Sequence, residues 1–185
     1  MTDKTVQRQA LLAARSALPP LQRMENDAAL SRHLLAWLAH HPVACIGVYL
    51  PIRNEPDLGA AYRTLVENGV LLCLPVVRQR DVALEFLPWF PGEQLGRDAS
   101  GIGMPLAPRD AIKPPLLLLP CVGYNARGFR LGYGAGYYDR TLALPERPAT
   151  IGIAYCQALC DFDTAPHDIA LDMVLTEAGP CTAAR

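Results

Sequence analysis

The sequence predicts an α/β fold, a three-layer α/β/α domain built around a mostly parallel sheet. Three observations predict it. Two almost wholly apolar runs, residues 43–50 and 70–75, flank a stretch with helical spacing. Four consecutive leucines, Leu116 to Leu119, end in Pro120 and are followed by a glycine-rich segment. Strand-like and helix-like stretches then alternate along most of the chain, the pattern of β-α-β units with right-handed crossovers. At 185 residues the chain suits one domain, expected to span 1–185.

The elements follow in order. Residues 4–17 read as a helix in which Lys4, Arg8 and Arg15 are interspersed with Val6, Leu11, Leu12 and Ala14, and Leu18-Pro19-Pro20 breaks it. On pattern alone the three basic residues are the solvated face of an amphipathic helix. A second helix runs from about Leu21 to Ala39, with Leu30, Leu34, Leu35, Trp37 and Leu38 at helical spacing. Residues 43–50 form a strand buried on both faces, ended by Pro51, with Arg53-Asn54-Glu55 in the loop at its carboxyl end. Asp57 is placed to cap a helix running to Glu67, closed by Asn68-Gly69, and residues 70–75 form the next strand. Ligands of open α/β sheets bind beyond such carboxyl ends, but a lone glutamate there reads first as a solvated charge.

Residues 81–90 read as an edge or antiparallel strand leading to Trp89, which is either core or a flat wall for a ring-bearing ligand. The Gly- and Pro-rich segment 91–115 is expected to be an extended loop over a surface or a cleft. A helix from Tyr137 to Leu144 ends at Pro145, strands follow at 150–155 and 173–176, and the tail after Glu177 is expected to be loose. Asp168 and Asp172 either cap and bridge locally or supply a second carboxylate to a metal ion.

Composition excludes several classes. A net charge of −1 gives no overall field for nucleic acid or an anionic membrane. No run has the length of a transmembrane helix, and the first residues are polar rather than a signal peptide. The six cysteines form no C-x-x-C, and nothing completes a zinc set around Cys156 and Cys160, so reduced thiols in a cytoplasmic protein are expected.

The segment that carries chemistry is Gly128-Phe129-Arg130-Leu131-Gly132-Tyr133-Gly134-Ala135-Gly136-Tyr137-Tyr138-Asp139-Arg140. Glycines after a buried strand bare backbone N–H groups to phosphates. Arg130 and Arg140 add positive charge, and Asp139 is suited to a metal ion between phosphate oxygens. The glycine spacing completes neither G-x-G-x-x-G nor the P-loop pattern, so spacing alone leaves a surface turn and a phosphate cradle equally open.

The whole run, following an apolar strand that ends in Pro120, closely resembles the signature of the 5-formyltetrahydrofolate cyclo-ligase family. The resemblance extends over nearly the whole chain, through the basic first helix, the Leu50-Pro51 strand end with Glu55, the Leu74-Pro75 strand end, the Trp89 loop and the Pro166 to Asp172 segment. It implies a fold similar to the isomerase and CoA-transferase-like group. It also implies an ATP- and Mg²⁺-dependent conversion of 5-formyltetrahydrofolate to 5,10-methenyltetrahydrofolate, with ADP and phosphate released. Carried over by position, Lys4, Arg8 and the run Arg130, Leu131, Gly132, Tyr133, Gly134, Ala135, Gly136, Tyr137 and Tyr138 are expected to bind ATP. Arg130 and Lys4 are expected to act on the transferring phosphoryl group, and Leu50, Glu55 and Trp89 to meet the folate. Asp139 is expected to hold Mg²⁺ with Asp168, Asp172 being the alternate. The partner is a small molecule rather than nucleic acid or membrane, and a monomer is expected.

Two positions depart from the family pattern. Asn125 stands where an aspartate is usual before the glycine loop, and Met104-Pro105 where a Glu-Pro pair is usual. Another ATP-using enzyme for N-formyl or pterin compounds, or a non-catalytic folate or nucleotide binder, stays open at this point.

Overall fold

The computed structural model describes residues 4–181, with the four leucines at the middle of its main sheet. The chain begins with α1 (Lys4–Ser16) and α2 (Pro20–His40), parted by the prolines 19 and 20. Then come β1 (Cys45–Gly47), α3 (Gly59–Glu67), β2 (Leu71–Val76) and β3 (Glu85–Trp89). A small hairpin, β4 (Leu95–Arg97) and β5 (Gly103–Pro105), leads to β6 (Leu116–Pro120). A second hairpin, β7 (Gly123–Tyr124) and β8 (Arg130–Leu131), precedes α4 (Tyr137–Leu142). The chain closes with β9 (Ala149–Ile153), a 3₁₀ turn at Cys156–Ala158, β10 (Met173–Thr176) and β11 (Gly179–Cys181).

The main sheet has seven strands in the order β11-β10-β9-β6-β1-β2-β3. The five inner strands pair in parallel, and β3 and β11 join antiparallel at the two edges. The predicted mixed α/β architecture with a mostly parallel sheet is therefore observed. Because side chains alternate across a strand, the leucines divide between two layers. Leu116 and Leu118 pack with Leu30, Leu34 and Leu38 of α2 and Tyr62 and Leu65 of α3. Leu117 and Leu119 face the opposite layer, with Phe86, Tyr124, Leu142 of α4, Leu171 and Val174. A sheet apolar on both faces has to be covered by helices on both, which is why its strands read as unbroken apolar runs rather than alternations.

Several expectations need correction. Asp57 does not occupy the N-cap of α3; Leu58 does, and Asp57 accepts the Gly59 N–H at 2.8 Å from one residue further out. The tail after Glu177 is not loose up to Cys181. A turn with Gly179 at φ +113° folds it back as β11, and the Thr176 hydroxyl donates to the Gly179 carbonyl at 3.0 Å. The segment 91–115 is not loop throughout but contains β4 and β5, whose three-residue strands are too short to show a period in sequence. The helix from Tyr137 stops at Leu142, short of the expected Leu144.

Gly47 packs closely into the layer that holds α4. A Cβ built there would lie 2.4 Å from Leu117 Cδ2 and 3.0 Å from Phe86 Cε1. Gly47→Ala is expected to destabilise the protein by about 1–3 kcal/mol through overpacking. Urea unfolding reads the effect, and an unchanged midpoint would show that Leu117 and Phe86 have room to retreat.

Candidate active site

Parallel strands deliver their carboxyl ends to one edge of the sheet, and the chemistry-bearing residues gather there. β6 leaves that edge through Cys121 and Val122 into the β7–β8 hairpin. The hairpin turn is built on Asn125, whose Oδ1 accepts the N–H groups of Arg127 and Phe129, each at 3.0 Å. A carboxylate would accept these same two bonds, so the amide oxygen preserves the turn despite the departure from the family pattern. Its Nδ2 is buried without a hydrogen-bond partner among the described residues.

Beyond β8 the chain runs through Gly132, Gly134 and Gly136 into α4. Gly134 and Gly136 have φ of +97° and +68°, which side chains tolerate poorly. Arg8 reaches across from α1, and its Nε donates to the Gly132 carbonyl at 2.6 Å. A Cβ on Gly134 would sit 3.6 Å from Arg8 Nη2, so the loop lies directly against this guanidinium. Arg130 is the most enclosed cation of the run, with 6% of its side chain exposed. It lies over the Tyr138 ring, 5.3 Å from its centroid, and its Nη2 is 2.9 Å from Asp139 Oδ2. That ion pair lacks hydrogen-bond alignment, and Nε has no hydrogen-bond partner among the described residues. A buried guanidinium with unused donors is suited to anionic oxygens. Arg140 points elsewhere: it donates to the Ala135 carbonyl at 2.6 Å, pairs with Asp81 at 3.4 Å and covers the Tyr137 ring.

Lys4 Nζ donates to Asp168 Oδ2 at 2.7 Å, and the Ala165 N–H donates to the same oxygen at 2.8 Å. Burial pushes the Asp168 carboxyl up, but these two bonds and the neighbouring charges outweigh it, leaving it below its usual value. Asp172 is committed to the sheet instead. It accepts from the Thr150 N–H and hydroxyl at 2.9 and 2.7 Å and pairs with Arg147, tying β9 to the start of β10.

Beyond β1 the chain makes a tight turn with two non-glycine residues in the left-handed region, Arg53 at φ +49° and Asn54 at φ +60°. Such residues cost on the order of 1–2 kcal/mol each and persist where surroundings hold them. The turn delivers Glu55 into the interior, 3% exposed. Its Oε2 accepts the Ile52 N–H at 3.0 Å and its Oε1 accepts the Tyr133 hydroxyl at 2.8 Å. Burial raises the Glu55 carboxyl above its ordinary value, against the Ile52 and Tyr133 bonds and the charges of Arg15 and Arg53. The reading of Glu55 as a solvated charge is thus corrected. So is that of Arg15, which is 5% exposed and donates to the Tyr133 hydroxyl at 2.7 Å. One sequence signal marked Arg15: Lys4, Arg8 and Arg15 stand four and eleven residues apart, whole turns of a helix, and so share one stripe of α1.

Of the remaining candidates, Leu50 lies just beyond β1 at this edge, whereas Trp89 is not brought to the cluster: it stands opposite Leu72, near the amino end of β2. Leu50 is half-buried against β5, its Cδ1 3.3 Å from where a Gly103 Cβ would stand. Trp89 is 5% exposed, in the layer with α3 and edge-on to Tyr62, and its indole N–H has no hydrogen-bond partner among the described residues. Met104 lies opposite Gly96 in the β4–β5 hairpin.

Comparison with known proteins gives this arrangement its relatives. Residues 1–177 match the profile of a family described as the 5-formyltetrahydrofolate cyclo-ligase family. The chain belongs to that family. A 5-formyltetrahydrofolate cyclo-ligase of Mycolicibacterium smegmatis is 32% identical over 94% of this chain and 93% of its own. One of Mycoplasma pneumoniae is 29% identical over 95% of this chain and 99% of its own. Among solved structures, a 5,10-methenyltetrahydrofolate synthetase from Mycoplasma pneumoniae superposes with a TM-score of 0.78 at 28% identity, over 95% of this chain and 99% of that one. The NMR structure of the Aquifex aeolicus 5,10-methenyltetrahydrofolate synthetase gives 0.78 at 25% identity, over 100% and 94%. As a cyclo-ligase family member, the chain brings Lys4, Arg8, Arg130, Asp139 and Asp168 into ion pairs and hydrogen bonds around one glycine-rich loop.

Glu55 makes stability pH-dependent in a defined direction. A carboxyl whose pKa is raised on folding keeps its proton longer in the native state, so its stabilisation is complete below its unfolded pKa and is lost as pH rises through the folded one. Glu55→Gln should remove that loss, so the variant gains on the wild type as pH rises from 4 to 8. Urea titrations at several pH values measure the difference, and a gap that widens toward acid would contradict the assignment.

Proposed function

We propose that this cluster performs the family's reaction with Arg130 and Lys4 on the transferring phosphoryl group, Arg8 and the glycine-rich loop on ATP, and Glu55 on the folate. The reaction is the ATP-dependent conversion of 5-formyltetrahydrofolate to 5,10-methenyltetrahydrofolate. The formyl oxygen takes the γ-phosphoryl group as the bond to the β-phosphate oxygen breaks and ADP leaves. N10 then bonds to the activated formyl carbon and gives up its proton, and the carbon–oxygen bond breaks with phosphate as leaving group. Phosphoryl transfer of this kind depends on positioning and charge neutralisation more than on a protein nucleophile.

The observation that carries the residue assignment is the buried Arg130 guanidinium with unused donors, beside a loop whose glycines leave its backbone open. Leu131, Gly132, Tyr133, Gly134, Ala135, Gly136, Tyr137 and Tyr138 would line the nucleotide. Leu50 would flank the folate rings, and the Glu55 carboxylate would accept pterin N–H donors.

Among the described residues no three His, Cys, Asp or Glu side chains cluster in metal-binding fashion. Mg²⁺ does not ask for such a cage, because it is commonly held by one or two carboxylates together with substrate phosphates. Asp139 and Asp168 fit that need, with 20% and 17% of their side chains exposed and a cation beside each. They would hold the ion, which when bound neutralises charge on the phosphate oxygens. We also place the protein in the cytoplasm as a monomeric domain spanning 1–185. Six unpaired thiols and a site assembled from one chain support that reading, and no helix among the described residues is long and apolar enough to cross a membrane.

With 5-formyltetrahydrofolate, ATP and Mg²⁺ supplied, the ultraviolet band of methenyltetrahydrofolate should appear, and its absence with folded protein would remove the assignment. Arg130→Ala should lower kcat by about 10²–10³-fold, the scale for losing an electrostatic contact to developing charge. Arg8→Ala should act mainly on the KM for ATP. Asp139→Asn should raise the Mg²⁺ concentration needed for half-maximal rate, and an unchanged requirement would move the metal elsewhere.

A further inference from the structure

The Glu55 carboxylate does not stand alone at the end of β1. A chain of hydrogen bonds runs from Arg15 Nη2 to the Tyr133 hydroxyl at 2.7 Å, and from that hydroxyl to Glu55 Oε1 at 2.8 Å. The three groups come from α1, the glycine-rich loop and the turn after β1, 118 and 78 residues apart along the two links. Arg15 also braces the turn itself, its Nε donating to the carbonyl of left-handed Arg53 at 3.2 Å. The Arg53 guanidinium lies over the other side of the junction, 5.4 Å from the Tyr133 ring centroid. A buried arginine is costly unless its donors are used.

We propose that Arg15 is a positioning residue for the folate half of the reaction, acting through the Tyr133 hydroxyl on the orientation and charge of Glu55. The proposal rests on the reading above that Glu55 meets the folate. Tyr133 is polarised from one side by a cation and donates on the other, so the oxygen of Glu55 facing the loop is fixed while its remaining lone pairs stay available to pterin N–H groups. Burial pushes the Tyr133 phenol up to about 12, so it remains a donor at working pH. The ionised state of Glu55 is opposed by burial and favoured by the Ile52 and Tyr133 bonds and by the two cations that face it, Arg15 and Arg53. The other titratable groups whose charge would act on it are Tyr49, Tyr62, Cys121 and Tyr138, which burial holds in their neutral forms. Removing Arg15, or the hydroxyl that relays it, leaves Glu55 both less constrained and harder to ionise. Because Tyr133 belongs to the nucleotide loop, the same junction gives the two substrates a shared support.

The test uses the full chain as wild type, Arg15→Gln, Arg15→Lys, Tyr133→Phe, the Arg15→Gln/Tyr133→Phe double variant and Glu55→Gln. Thermal unfolding establishes that each is folded. Then kcat and both KM values are followed from pH 5 to 9 by the methenyltetrahydrofolate band. The acidic limb of kcat/KM for 5-formyltetrahydrofolate reports the free enzyme, and in Arg15→Gln and Tyr133→Phe it should move to higher pH. The KM for 5-formyltetrahydrofolate should rise about tenfold in both, the scale of one hydrogen bond to a charged group. The double variant should move the limb no further than Tyr133→Phe alone. Arg15→Lys, which keeps the charge but not the fork, should return the limb part of the way. A limb that stays in place in folded Tyr133→Phe, with kcat reduced equally at every pH, overturns the proposal and leaves Arg15 a structural brace. Tyr133→Phe decides the matter even where Arg15→Gln does not fold. If Glu55→Gln leaves the folate KM unchanged, the folate reading and this proposal fall together. If Glu55→Gln raises that KM while the limb holds in Tyr133→Phe, the proposal alone falls.

Discussion

The 2.6 Å hydrogen bond from Arg8 to the Gly132 carbonyl fixes where everything else can be. Glycines 132, 134 and 136 leave the backbone of the loop open, and at those three positions no side chain holds its shape. Shape has to come from outside, and α1 supplies it. Arg8 takes a loop carbonyl, Arg15 takes the Tyr133 hydroxyl, and Lys4 takes the Asp168 carboxylate on the far side. Backbone entropy that the glycines would retain in solution is removed by contacts from a helix with no strand of its own to pair. The loop keeps the openness of glycine and acquires the order of a packed element.

Charge is arranged in pairs across this junction. Arg130 faces Asp139, Lys4 faces Asp168, and Arg15 reaches Glu55 through a phenol. Unpaired, each carboxylate or cation at these burials would be expensive; paired, each is held at a defined distance. Asp172 marks the contrast. Its bonds to Thr150 satisfy it within the sheet, so it strengthens the β9–β10 junction and stays out of the cluster.

Much of this could be read from the residues. The leucine run and the two apolar strands gave the layered sheet because a strand buried on both faces has no polar positions. The signature from Gly128 to Arg140 was long enough to point to one family. What escaped was mostly long-range. Whether Asp168 or Asp172 turns toward Lys4 depends on which strand edge each meets, and no local pattern encodes that. Arg15 looked solvated because a basic residue on an amphipathic helix usually is; only the neighbouring loop makes its stripe an inward one. The hairpins β4–β5 and β7–β8 were too short for periodicity, and β11 is three residues long with a proline in it. Asn125 was legible as a departure but not as one that keeps the turn, since that depended on seeing both N–H groups converge on its amide oxygen.

The ion pair between Lys4 and Asp168 joins residues 164 positions apart. On the ribosome, α1 emerges long before the segment that anchors its first turn, and the sheet it flanks is not complete until β10 has paired with β9. A nascent chain therefore carries its basic stripe exposed, free to meet other polyanions, for most of its synthesis.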